Sequence, residues 1–263
     1  MSVPRLLIVA GSDSGGAAGI QADIKTACAF GVYAMTAITA VTVQNTLGVS
    51  GWQRIDTDVV QGQIDACLSD IGADALKTGM LGDAAMVTAV ADALRGCAAP
   101  LVLDPVMVAK GGAKLLADEA VTAIRTQLLP LALLVTPNLP ECEALIGFVP
   151  TTDGQARDAA RKFRALGARH VLFKGGHATG AIVRDILADG ETGEFLVLEA
   201  PRIETRHTHG TGCTLASAIA SGLAQKHSLA DAVRRAHAYV QDAIRTAPGL
   251  GSGHGPLNHF VKP

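Results

Sequence analysis

The 263-residue sequence lacks an uninterrupted apolar run of the roughly 18 residues that a membrane-spanning helix needs. Its first residues also lack the apolar stretch of a secretory signal peptide. Basic residues number 22 and acidic residues 24, so the formal net charge of -2 creates no broad field to attract nucleic acid or an anionic membrane. We therefore expect a cytoplasmic protein with neither nucleic-acid nor membrane partners.

Cysteines and aromatic residues are also scarce. The five cysteines are odd in number, widely spaced and without a C-x-x-C pair, which excludes a disulfide framework and a zinc site of that type. Aromatics make up 3% of a chain that is 49% hydrophobic, so Ala, Val, Leu and Ile must build the core. That composition suits parallel strands covered by helices on both faces.

Short β-branched runs alternate with helix-length amphipathic segments along the whole chain. This alternation predicts an α/β fold with a mainly parallel sheet, in a single domain spanning 1–263. The Gly-rich segment 249–255 is expected to be a flexible terminus. We predict strands at 6–10, 34–43, 49–54 (an edge), 75–77, 101–104, 133–136 and 171–174, a hairpin at 181–187 and 194–198, and helices at 20–30, 58–71, 84–94, 118–128, 140–145, 154–166, 211–226 and 229–246.

Glycine-rich or polar segments follow the carboxyl ends of many predicted strands. In such sheets the carboxyl ends of the strands meet at one edge, which is where ligands bind. Repetition at one edge is stronger evidence for a site than any single loop. The segments are 11–16, 44–46, 78–80, 104–107, 136–138 and 174–177.

The most specific of these features is Gly210-Thr211-Gly212-Cys213, which opens an apolar helix. Exposed N–H groups and the helix dipole make such a start an anion site, suited to charge that develops on a transferred phosphoryl group. Cys213 could be a packing residue. At a helix N-terminus, however, a cysteine pKa can fall from about 8.5 toward neutral. We hypothesise that Cys213 is a general base, or at least contacts a reacting hydroxyl.

Phosphoryl transfer also needs cations near the polyphosphate and oxygen ligands for magnesium. Lys174, at the end of an apolar strand, is the strongest candidate cation, and Lys110 is a weaker second one. Asp104 and Glu141 are the best-placed carboxylates, although Glu141 could be only a first-turn helix residue favoured by the dipole.

Other candidate side chains fall at the same edge. The Gln44 amide suits the edge of a heteroaromatic ring, and Met80 could pack on its face. Asp23 lies early in a helix near this edge, or is simply an exposed helical residue. His207 and His209 form an H-x-H pair without further ligands at metal spacing, so we expect no metal there.

Together these motifs resemble hydroxymethylpyrimidine/phosphomethylpyrimidine kinase of thiamine biosynthesis, in the ribokinase-like superfamily. The resemblance runs from about residue 6 to the end of the helix that follows Gly212. It is carried by the segments 10–16, 18–23, 43–46, 104–107, 136–141, 174–177 and 208–213.

The resemblance implies a three-layer α/β/α fold with a mainly parallel central sheet and a minimal lid. It implies that ATP, with Mg²⁺, phosphorylates 4-amino-5-hydroxymethyl-2-methylpyrimidine and then its monophosphate, in a homodimer. It assigns substrate contacts to Gly11, Asp23, Gln44, Met80 and Val106; ATP or phosphate contacts to Thr136, Asn138, Lys174, Thr208 and Gly210; magnesium to Asp104 and Glu141; and catalysis to Lys174, Gly210, Thr211, Gly212 and Cys213.

Two alternatives stay open. One is a pyridoxal/pyridoxine kinase of the same superfamily, whose substrate also carries a hydroxymethyl group on a nitrogen heteroaromatic ring. The other is a non-catalytic pyrimidine-binding regulator, against which the intact Lys174, Asp104, Glu141 and Cys213 argue.

Overall fold

The computed structural model describes residues 3–107, 118–177 and 180–263, so Lys110 lies outside the described residues. The strands there form one sheet in the order β3-β2-β1-β4-β5-β6-β7-β8-β9, and its neighbouring pairs are parallel except for β2–β3, β7–β8 and β8–β9, which are antiparallel. This confirms the mainly parallel sheet, the edge strand and the hairpin. The strands are β1 (Arg5–Asp13), β2 (Tyr33–Asn45), β3 (Gly48–Arg54), β4 (Ala75–Thr78), β5 (Leu101–Leu103), β6 (Ala132–Val135), β7 (His170–Phe173), β8 (Ile182–Asp189) and β9 (Phe195–Pro201).

Helices cover both faces of the sheet, which confirms the three-layer architecture. In β1, Leu6 and Ile8 join a core under α1, α7 and α8, whereas Leu7 and Val9 join the opposite core under α2 to α6. This alternation follows from the two-residue period of a strand. The helices are α1 (Gly19–Ala29), α2 (Thr57–Asp70), α3 (Ala84–Leu94), α4 (Asp118–Ala123), α5 (Leu139–Ile146), α6 (Asp153–Ala165), α7 (Thr211–Ala224) and α8 (Leu229–Arg245). None of these described helices is long and apolar enough to cross a lipid bilayer.

The single helix predicted at 118–128 is irregular. After α4 the chain continues as a π-helix over Ile124–Leu128 and then as a 3₁₀ turn over Leu129–Leu131. Pro130 lies in that turn, and a proline cannot donate the hydrogen bond that would continue an α-helix. Regular α geometry is confined to Asp118–Ala123, and Pro130 explains only why the segment does not continue as an α-helix beyond the 3₁₀ turn.

The strand order reverses beside β1. From β1 the chain moves to β2 on one side, and β4 later pairs with β1 on the other side. Such a reversal opens a crevice at the carboxyl ends of the strands. β1 also runs further than predicted, through Gly11 and Ser12 to Asp13, with a register shift opposite β2. Only the residues after Asp13 form the loop that the sequence placed at 11–16.

The Gly-rich tail is packed, and the expectation of a flexible terminus is wrong. His254 N donates to Thr46 O at 2.8 Å, in the β2–β3 connection. A Cβ on Gly251 would lie 2.3 Å from Thr46 Oγ1, and one on Gly253 would lie 2.1 Å from Thr46 O. These glycines allow two backbone segments to approach each other closely. A Gly-rich composition alone does not distinguish this role from flexibility.

Two Gly→Ala substitutions with opposite expected effects test this packing. Gly253→Ala forces a methyl group against the Thr46 carbonyl and should destabilise the fold by about 1–3 kcal/mol. Gly62→Ala lies in the exposed interior of α2 with no atom near the added Cβ, and should stabilise it by about 0.5–1 kcal/mol. Urea denaturation measures both. A Gly253→Ala protein as stable as the wild type would contradict the docked tail.

Candidate active site

A cavity of about 1080 Å³ opens at the carboxyl ends of the strands. It brings together most of the residues that the sequence singled out; Asp23 and Thr136 are not among its lining residues. Both of these are fully buried behind the wall. The expected residues on the lining are Gly11, Gln44, Met80, Asp104, Val106, Asn138, Glu141, Lys174, Thr208, Gly210, Thr211, Gly212 and Cys213.

The start of α7 is shaped by two glycines. Gly210, the residue before the helix, has the left-handed φ of 85°, and a Cβ there would lie 1.8 Å from Ala17 O. Only glycine fits this position. A Cβ on Gly212 would lie 3.4 Å from Lys174 Nζ, so the first turn of the helix directly faces that ammonium group. The helix dipole and the lysine therefore favour an anion at the same place.

Lys174 belongs to a buried ionic cluster. Its Nζ donates to Asp104 Oδ1 at 3.0 Å and lies 3.8 Å from Glu141 Oε2. Burial acts to lower the pKa of Lys174, but Asp104 and Glu141 outweigh burial and raise it, so the ammonium stays charged. Thr136 Oγ1 donates to the same Asp104 oxygen at 3.1 Å and so orients this carboxylate from behind the cavity wall.

Asn138 and Glu141 form a capping box at the start of α5. Asn138 Oδ1 accepts from Glu141 N at 2.9 Å, and Glu141 Oε2 accepts from Asn138 N at 2.8 Å. Glu141 is thus both a first-turn residue and a wall of the cavity. Burial raises the pKa of Glu141 to about 7; Lys174 opposes this shift, and Asp104 adds to it.

A second buried lysine was missed from the sequence. Lys77, at 0% exposure, bonds to Asp23 Oδ2 at 2.8 Å, and Ser217 Oγ donates to Asp23 Oδ1 at 2.7 Å. Asp23 is therefore not an exposed helical residue, and it reaches the cavity through Lys77, which is on the lining. The available signal was a lysine inside a short apolar strand, the same signal that identified Lys174.

Cys213 does not have the thiolate character expected at a helix N-terminus. Burial raises its pKa to about 12; Lys77 opposes the shift, whereas Asp23 and Asp104 add to it. The expected lowering of the pKa is wrong because tertiary burial outweighs the local dipole. The protonated thiol still lies on the cavity wall beside the first turn of α7.

The hairpin and α8 also bound the cavity. Asp185 on β8 and His237 on α8 line it, together with Ile203 and Val240. Asp185 Oδ1 accepts from Gly175 N at 2.8 Å, which ties this wall to the loop after Lys174. Burial raises the pKa of Asp185. No sequence motif had marked these residues.

Among the described residues, no three His, Cys, Asp or Glu side chains are grouped so that they could hold a metal ion by themselves. His207 and His209 are accordingly in no such group. Asp104 and Glu141 remain the candidate magnesium ligands, and a pair of carboxylates fits that ion because magnesium keeps several waters and takes phosphate oxygens. The Lys174 cluster and the Lys77–Asp23 pair together contain three carboxylates and two ammonium groups. Bound phosphates would therefore require an additional cation.

A family model described as phosphomethylpyrimidine kinase matches residues 13–258. The chain belongs to the phosphomethylpyrimidine kinase family. A relative in Streptomyces coelicolor, named hydroxymethylpyrimidine/phosphomethylpyrimidine kinase, is 49% identical over 97% of this chain and 94% of its own length. The bifunctional thiamine biosynthesis protein ThiED of Geobacter sulfurreducens is 50% identical; the match covers 97% of this chain but only 52% of that protein.

Solved structures confirm the ribokinase-like fold of this family member. An ADP complex of Bacillus subtilis pyridoxal kinase has a TM-score of 0.89 at 38% identity, covering 98% of both chains. A phosphomethylpyrimidine kinase from Clostridium difficile has a TM-score of 0.81 at 37% identity, covering 92% of this chain and all of the other.

The Glu141 carboxyl makes a testable contribution to pH-dependent stability. Its pKa is 4.5 in an ordinary environment and about 7 in the fold, so the folded state binds more protons between these values. Stability therefore falls as pH rises through that window. We expect Glu141→Gln, which can keep the capping bond, to gain stability relative to wild type as pH is raised from about 5 to about 8.

Urea denaturation at several pH values measures this difference. Glu143→Gln, an exposed position on the same helix, corrects for the general effect of removing a negative charge. A Glu141→Gln difference from wild type that is no more pH-dependent than that of Glu143→Gln would contradict the raised pKa.

Proposed function

We propose that the chain is an ATP-dependent kinase that phosphorylates 4-amino-5-hydroxymethyl-2-methylpyrimidine to its monophosphate and then to the diphosphate, for thiamine diphosphate biosynthesis. The observation that carries this proposal is a single cavity in a member of this family. The cavity is lined by the buried Lys174, by the N-terminus of α7, which suits an anion, and by the Gln44 amide, which suits a ring. The cytoplasmic location and the homodimer stay predictions.

The two ends of the cavity suit the two substrates. Gln44, Met80 and Val106 line the cavity with Gly11 and supply an amide, a sulfur and aliphatic groups, which suit a flat nitrogen heterocycle. The Lys174 end suits the polyphosphate, and Asn138 and Thr208 also line the cavity. Magnesium held by Asp104 and Glu141 would supply charge neutralisation between the phosphate groups.

The proposed reaction needs positioning more than a strong base. The hydroxymethyl oxygen bonds to the terminal phosphorus of ATP, the bond to the ADP oxygen breaks, and the hydroxyl proton passes to an oxygen of the transferred phosphoryl group and then to solvent. Lys174 and the N–H groups of Gly212 and Cys213 stabilise the charge on the transferred group, whereas the Thr211 N–H donates to Thr208 O. A loose transition state asks little of a base, and a phosphate attacker in the second step is already ionised. Cys213 therefore acts as a protonated contact to the reacting oxygen.

The pyridoxal kinase alternative has one observation in its favour, since several solved structures of similar fold are pyridoxal kinases. Curated relatives that match at 45–49% identity instead carry pyrimidine kinase names. A non-catalytic regulator would not need the paired Lys174 and Asp104 to face a helix N-terminus.

Turnover of magnesium-ATP with the pyrimidine alcohol and with pyridoxal, followed by product mass, tests the proposal. We expect pyrimidine monophosphate and then diphosphate, and a loss of kcat of roughly 100-fold or more in Lys174→Met. Lys162→Met, an exposed lysine that does not line the cavity, should keep wild-type turnover. Turnover of pyridoxal alone would favour the first alternative, and tight pyrimidine binding without turnover would favour the regulator.

A further inference from the structure

Gln44 is held by a polar cluster that joins three separate parts of the chain. One end of its amide, Nε2, lies 2.8 Å from His209 Nε2, in the turn before α7. The other end, Oε1, lies 3.1 Å from Thr42 Oγ1. Asp13 Oδ2 lies 3.4 Å from the same His209 nitrogen. The backbone of Gln44 is fixed as well, because Ser14 Oγ bonds to both its N and its O.

The single proton of Thr42 decides which end of the amide faces it. Thr42 Oγ1 donates to the Ser12 carbonyl at 2.9 Å, so it has no second proton for an oxygen of Gln44. The amide atom beside Thr42 must therefore be the donor. Turning the amide by 180° places Nε2 toward Thr42 and Oε1 toward His209, and every contact is then complementary.

The tautomer of His209 leads independently to the same orientation. His209 Nδ1 is buried without a hydrogen-bond partner, and a buried N–H without a partner is costlier than a lone pair. The ring proton therefore belongs on Nε2, where the Asp13 carboxylate is close. Asp13 cannot turn away, because its oxygens also accept from Gly15, Ala17 and Ala18 N–H groups. Nε2–H then donates to Gln44 Oε1.

We propose that His209 is a positioning residue that fixes the direction of the Gln44 amide and thereby selects an aminopyrimidine ring over a pyridoxal ring. This inference rests on the proposed function only in that Gln44 contacts the ring. After binding Thr42 and His209, the amide keeps one N–H donor and one oxygen lone pair for a ligand. Their order along the edge is fixed by His209.

The two candidate rings present opposite patterns beside the reacting hydroxymethyl group. The aminopyrimidine has an amino donor next to that group and a ring-nitrogen acceptor beyond it. Pyridoxal has a formyl acceptor next to it and a hydroxyl donor beyond it. A glutamine amide pairs with an amino donor and a ring-nitrogen acceptor, as it does on adenine. A fixed amide therefore satisfies one ring, whereas an amide free to turn can satisfy either.

The ¹⁵N resonances of the His209 ring test the orientation without any activity measurement. We expect the Nε2–H tautomer in the ligand-free protein, assigned by the signals that disappear in His209→Gln. A neutral ring protonated on Nδ1 would overturn the proposal, whether or not the chain proves to be a pyrimidine kinase.

Kinetics of a matched pair test the selection. His209→Met removes the donor at similar size, whereas His209→Gln can supply an N–H in its place. We expect His209→Met to shift the ratio of kcat/KM for pyrimidine alcohol over pyridoxal by roughly tenfold toward pyridoxal, with the KM for ATP unchanged. His209→Gln should restore most of the ratio.

His254→Gln is the control, because His254 lines the same cavity and bonds to Arg206 O rather than to Gln44. An unchanged ratio in His209→Met, or an equal shift in His254→Gln, would overturn the proposal. Should His209→Met not fold, the tautomer measurement on the wild type still decides.

Discussion

The start of α7 can lie against the loop between β1 and α1 only because residue 210 has no side chain, since a Cβ there would sit 1.8 Å from Ala17 O. That contact determines where the rest of the helix lies. Gly212 then faces Lys174, and Ser217, about one and a half turns further on, donates to Asp23. The buried helix thus connects both ionic clusters of the cavity.

The two lysines show how the fold keeps positive charge in a buried place. Lys77 pairs with Asp23 at 2.8 Å and Lys174 with Asp104 at 3.0 Å, and in each case the neighbouring acidic groups together outweigh burial and keep the pKa of the lysine raised. An unpaired buried charge would cost several kcal/mol. Lys77 lies within β4 and Lys174 directly follows β7, and both line the cavity, so their ammonium groups are ready for anionic ligands without rearrangement.

The sequence predicted features that depend on local pattern. The β/α alternation predicted the sheet and the edge at which the loops meet, and the glycines before Cys213 predicted the helix-start site. The pairing of Asp23 with Lys77 was not predictable, because it joins residues far apart in the chain across two layers of the fold. Cys213 was misjudged for a related reason: the dipole is local, whereas the burial that raises its pKa is tertiary.

The α7 turn held by Gly210 is the phosphoryl-transfer site that we propose, and turnover by Gly210→Ala tests this role most directly. The added methyl must displace the turn from Ala17, so we predict a loss of kcat of roughly 100-fold or more in a protein that still folds by circular dichroism. Gly154→Ala in α6, where a Cβ meets nothing closer than 3.9 Å, should keep wild-type kcat. A folded Gly210→Ala enzyme with wild-type kcat would contradict the account.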